Sequence, residues 1–178
     1  MWLTLAFTSA ALLGFYDAAK KKALTGNAVL PVLLLNTLFS TLFFLPAILS
    51  AELGLGWFDH TLLATAPGTW EAHGLVVLKS AIVLTSWIFG YFGMKHLPLT
   101  IVGPINATRP VMVLVGAFAI FGERLNACQW TGVALALVSL FLLSRSSRRE
   151  GVVFTHNVWI LFIALAAVTG AVSGLYDK

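Results

Sequence analysis

The side chains that could do chemistry in this sequence stand inside apolar stretches, where a polar group is costly and needs a reason to be there. The fourth stretch, LTIVGPINATRPVMVLVGAFAIFGE, holds Arg109 near its middle. At helical spacing Val102, Asn106, Arg109, Val113, Gly116 and Glu123 share one face. A guanidinium there, beside backbone carbonyls that Pro104 and Pro110 set free, is suited to holding a carboxylate or another anion. Two plainer readings also fit: an Arg paired to a neighbouring carbonyl or Asp, or one whose stem snorkels to the interface. Each proline removes a backbone donor, so a kink or break is expected at this point.

The third stretch adds Lys79, whose face continues through Val83, Ser86, Gly90 and Gly93. Lys79 either serves a transported solute or snorkels from near its helix end. Trp87 and Tyr91 are one turn apart and either stack on a solute or pack as belt residues. Asn36 shares a face with Ser40, a pattern suited to interhelical hydrogen bonding or to a solute site. In the first stretch Asp17 precedes Lys21 by four residues, the spacing of an intrahelical ion pair; a proton-relay carboxylate is the alternative. His60 and His73 lack a spaced partner set, and the single Cys128 supplies neither a disulfide nor a Cys-based metal site. No HExxH, GxSxG or Walker pattern is present. No catalytic residues, metal or cofactor are therefore assigned, and an enzyme is the least favoured class.

The elements that must carry these groups follow from composition. The chain has 178 residues, 59% hydrophobic and 10% charged, with a mean hydropathy of +0.92. A soluble domain is about 25% charged. Apolar runs of about 20 residues match the thickness of a hydrocarbon core. Six segments are predicted, at roughly 2–22, 28–50, 74–94, 98–121, 127–144 and 158–176. Lipid cannot satisfy backbone groups, so runs this long must be helices. The fold class is all-α and polytopic. The lipid bilayer is thus a partner, and the formal charge of +4 reflects membrane-flanking Lys and Arg rather than nucleic-acid binding. Residues 51–73 form one long acidic loop, whereas KHLP (95–98) and GERLN (122–126) are tight connections that make antiparallel neighbours. SRSSRREG (144–151) is the best internal boundary. Lys20 to Lys22, Lys95, Arg145, Arg148 and Arg149 fall on one side, which by the positive-inside rule puts the N-terminus outside.

Residues 91–143 resemble the EamA-type repeat of the drug/metabolite transporter superfamily. There a helix with a mid-membrane Pro leads to a short Gly-Glu turn, then to a Gln and a Gly-led helix. The matching residues here are Pro110, Gly122, Glu123, Gln129 and Gly132. The resemblance implies paired five-helix repeats of opposite orientation around a central cavity, with both termini in the cytoplasm. It also implies an exporter of amino acids, other metabolites or drugs in a bacterial cytoplasmic membrane. It divides the chain into a first five-helix repeat (1–143), a basic linker (144–157) and a sixth helix opening a second, inverted repeat (158–178). The loop after the second segment is acidic where the family has basic residues, and Arg109 matches no family motif.

The sequence also echoes itself. Gly14, Tyr16 and Asp17 align with Gly174, Tyr176 and Asp177 at an offset of 160 residues. The second copy falls where a second repeat's first helix should end. The expectation is therefore an incomplete transporter, an alternating-access permease whose missing half is a second five-helix repeat or a homodimer partner. Arg109, Asn106, Lys79, Trp87, Tyr91 and Asn36 would form its solute site. The alternative is a non-transporting membrane scaffold.

Overall fold

The computed structural model describes residues 2–58, 61, 63–64, 68–122, 126–147 and 157–177. Among them the chain forms seven helices and no strand: α1 (Trp2–Leu24), α2 (Val29–Glu52), α3 (Trp70–His96), α4 (Leu99–Asn106), α5 (Arg109–Phe121), α6 (Ala127–Ser147) and α7 (Val158–Tyr176). Four stretches are long and apolar enough to cross a membrane: Val29–Glu52, Trp70–His96, Leu99–Phe121 and Val158–Tyr176. α1 and α6 have spanning length, about 34 Å and 31 Å at 1.5 Å per residue. They are more polar; α1 carries Asp17 and three consecutive lysines. Phe7, Phe15, Leu34, Phe43, Leu135 and Phe141 point outward from their helices, a surface suited to lipid and not to water. The chain is a polytopic helical membrane protein.

The long connection is shorter than the sequence suggested. α2 runs to Glu52 and α3 starts at Trp70, so Glu71 and His73 are helical. The reason is a cap: Thr69 Oγ1 accepts the Ala72 N–H at 3.2 Å, and Glu71 sits in the positive first turn. Asp59 and His60 lie outside the described residues.

α3 is the axis of the fold. α7 lies antiparallel to it along nearly its whole length. At one end the Trp159 and His96 rings stack at 3.5 Å. At the other the Tyr176 hydroxyl donates to the Leu75 carbonyl at 3.2 Å, and Asp177 pairs with Lys79. Small residues allow this contact. A methyl group on Gly93 would stand 3.1 Å from Ile163 Cβ, and one on Gly90 3.7 Å from Ala166 Cβ. One turn before Gly90, Ser86 Oγ donates to the Ala166 carbonyl at 2.8 Å. Ile163 and Ala166 are completely buried.

α1 runs parallel to α3 on another side and is held differently. The Lys21 ammonium donates to the Met94 carbonyl at 2.6 Å, Leu97 at 2.8 Å and Lys95 at 3.2 Å. The Met94 and Lys95 carbonyls are in the last turn of α3, where carbonyls lack partners within the helix, Leu97 follows as its cap, and the helix dipole makes this end negative. Lys21 therefore ties α1 to the α3–α4 turn. It does not pair with Asp17, as its spacing had suggested. That role falls to Lys20, 2.9 Å from Asp17 Oδ1.

Candidate functional site

The fourth apolar segment is broken where its prolines predict a kink or break. α4 ends at Asn106, Ala107 and Thr108 form a helical turn, and α5 begins at Arg109 with Pro110 in its first turn. A proline there costs no hydrogen bond, because the first N–H groups of a helix have no internal acceptor. The Thr108 hydroxyl closes the joint by donating to the Ile105 carbonyl at 2.7 Å. The joint puts Asn106 and Arg109 on its inner side.

That side is one wall of a cavity of about 390 Å³. α1 contributes Tyr16, Asp17 and Lys20; α3 contributes Trp87 and Tyr91; the joint contributes Asn106 and Arg109. Tyr91, which lines the cavity, is 3% exposed. Arg109 Nε and Asn106 Oδ1 are both buried, and neither has a hydrogen-bond partner among the described residues. One is a donor carrying positive charge, the other an acceptor. An unmet buried polar atom costs about 1–3 kcal/mol, more when it is charged. Both atoms belong to residues that line the cavity, so unmet hydrogen-bonding capacity lies a turn apart beside its open space.

α7 forms the back of this wall. A methyl group on Gly170 would stand 3.0 Å from Arg109 Nε and Cζ. Glycine at 170 thus lets the guanidinium lie flat against the α7 backbone. The next turn repeats the arrangement, with Val113 Cγ2 3.0 Å from a methyl on Gly174.

A second cavity of about 410 Å³ adjoins the first and shares Tyr16, Lys20 and Tyr91 with it. Asn36 lines this one. Its amide donates to the Tyr16 hydroxyl at 3.2 Å, and the Tyr16 and Tyr91 hydroxyls stand 3.4 Å apart. The structure thus brings Arg109, Asn106, Trp87 and Tyr91 to one cavity and Asn36 to its neighbour. Lys79 lies elsewhere, occupied by Asp177 at the far end of α3. Sequence reading missed Tyr16 and Lys20, although both sit within one turn of Asp17. The i, i+3 spacing from Asp17 to Lys20 was the available signal. Gly170 could be found only from the fold.

The Gly122, Gln129 and Gly132 positions have no place in either cavity. Gly122 ends α5 in the left-handed conformation, φ 64°, which glycine adopts without a Cβ penalty. Asn126 Oδ1 accepts the Gln129 N–H at 2.8 Å, while Gln129 Oε1 accepts the Asn126 N–H at 2.9 Å. This reciprocal capping box starts α6. Gly132 faces open space, and Glu123 lies outside the described residues. Gly122 and Gln129 therefore end one helix and begin the next. Among the described residues no group of three His, Cys, Asp or Glu side chains is placed to hold a metal ion.

The EamA-like transporter family profile matches residues 1–145. No curated protein and no solved structure matches the chain.

Proposed function

This chain belongs to the EamA-like transporter family, and on that premise we propose that it exports a small carboxylate-bearing metabolite, an amino acid or organic anion, through the Arg109 cavity. The observation that carries this reading is the pair of unmet polar atoms, Arg109 Nε and Asn106 Oδ1, on two residues that line the cavity. A carboxylate oxygen satisfies the first, and a substrate N–H or O–H satisfies the second. Trp87 offers an apolar face beside them. Asn36 serves the adjoining cavity, and Lys79, paired with Asp177, acts at the α3–α7 contact. Pro104 and Pro110 shape the joint that presents Arg109.

The mechanism is alternating access around this midplane site, with a second five-helix repeat or a second copy of the chain completing the cavity. Residues 158–177 represent the first helix of the second repeat in this reading, with 144–157 as the linker. The opposite directions of α1 and α7 support it, as does the Gly-x-Tyr-Asp that each carries in its C-terminal half or at its end. The setting is a bacterial cytoplasmic membrane.

The test is flux of a panel of amino acids and organic acids in vesicles carrying the protein, wild type against Arg109→Gln. Carboxylates should move, and the variant should slow them at least about tenfold, the scale of one lost charge-assisted hydrogen bond. Equal flux of every carboxylate in both proteins would sink the proposal.

A further inference from the structure

The cavity contains a second binding element that faces the first. Lys20 Nζ lies 2.9 Å from Asp17 Oδ1, 4.4 Å from the centre of the Tyr16 ring and 5.1 Å from that of Tyr91. A carboxylate and two tyrosine faces around one ammonium form a cation cage. Its occupant is the chain's own lysine, whose side chain is 15% exposed. Asp17 remains 36% exposed, so the cage has an open side. Tyr91 is fixed by burial, and Tyr16 is held by its hydroxyl contacts with Tyr91 and Asn36. The cage is thus set by neighbours other than its occupant.

Resting on the transport reading above, we propose that this cage is the amine subsite of the cavity and that Lys20 is a placeholder which a substrate ammonium displaces. The substrate class narrows to a zwitterion, with its carboxylate at Arg109 and its ammonium between Asp17, Tyr16 and Tyr91. Displacement leaves Lys20 a place to go. It lies one turn from the end of α1, within reach of the interface for a four-carbon stem. Asp17 keeps a cation throughout, so no carboxylate is left bare in the membrane. A tethered ammonium competes at an effective concentration on the order of millimolar. An amine alone therefore binds weakly, and the second anchor at Arg109 is needed for affinity. The charged groups facing the cage are Lys20 from its own helix and Arg109 across the cavity.

Three probes of one size separate the two ends of the site: phenylalanine, phenethylamine and 3-phenylpropionate. Their binding is measured by calorimetry on the full chain in nanodiscs. Asp17→Asn should weaken phenylalanine and phenethylamine about tenfold. It should tighten 3-phenylpropionate, which then meets one negative charge fewer. Lys20→Met removes the competitor and should tighten both amine-bearing probes, whereas Lys20→Arg should leave them weak. Tyr91→Leu should cost the two amines roughly 2- to 30-fold, the range of one cation–π contact. Weakening of phenylalanine by Lys20→Met would overturn the placeholder role. A shift of all three probes in one direction by Asp17→Asn would overturn the amine subsite. Failure of the carboxylate reading shows elsewhere, as Arg109→Gln leaving 3-phenylpropionate unchanged. Size-exclusion profiles and unfolding midpoints confirm that each variant folds.

Discussion

The two long neighbours of α3 are held by opposite means. α7 meets α3 through glycine, alanine and serine, with backbones close enough for a serine hydroxyl to reach across to a carbonyl. Five of its residues, Ile163, Ala166, Ala167, Ala171 and Ser173, are buried. α1 meets α3 through long polar side chains, Lys21 on three carbonyls and Tyr16 on Tyr91, and among its described side chains only Leu24 is buried. In a bilayer, side-chain burial gains nothing over lipid, so close backbone approach is what makes a helix pair firm. Cavities remain where long side chains keep helices apart. The α3–α7 contact is thus the frame, and the α1 side is where space for a solute remains.

That contrast predicts a graded set of outcomes. Gly93→Val strikes the frame: its side chain would meet Ile163 Cβ and backbone, and overpacking should cost about 3 kcal/mol. Thermal unfolding in detergent should show a clear fall in Tm, and an unchanged Tm would make the frame no tighter than the α1 side. Lys21→Met strikes the α1 tether and should cost about 1.5 kcal/mol, the value of a hydrogen bond to a charged group. Hydrogen exchange should rise in the last turn of α1 and at the α3–α4 turn while α7 stays protected. Equal acceleration in α7 would dissolve the distinction. Asn36→Ala removes one interhelical hydrogen bond and should cost about 0.6 kcal/mol. A double-mutant cycle with Tyr16→Phe should recover that figure as coupling energy. Zero coupling would show the Asn36–Tyr16 contact carries nothing.

Much of this was readable before any coordinates. Apolar run length placed the helices, because lipid forces such runs to be helical. Two prolines six residues apart located the break between α4 and α5, because each removes a backbone donor. Helical spacing put Asn106 beside Arg109 and Trp87 beside Tyr91, since the members of each pair are only three or four residues apart in the chain. The readings that needed revision involve partners distant in sequence. Lys79 meets Asp177, 98 residues away, and Lys21 meets carbonyls more than 70 residues away. An i, i+4 rule sees only the acid on its own helix, whereas a free helix C-terminus competes for the same ammonium. Gly170 looked like any small residue of a membrane helix, and only the fold shows a guanidinium lying on it.

The arrangement of ions in the cavity has an electrical consequence. Asp17 and Lys20 cancel, which leaves Arg109 as one net positive charge among the cavity's charged residues. One elementary charge moved across a membrane is worth about 2.3 kcal/mol per 100 mV. An empty cavity exchanging between the two sides would therefore feel the membrane voltage. A zwitterion would leave that sensitivity in place, whereas a monoanion would cancel it. Flux at an imposed potential then reports the net charge of the cargo without its identity being known.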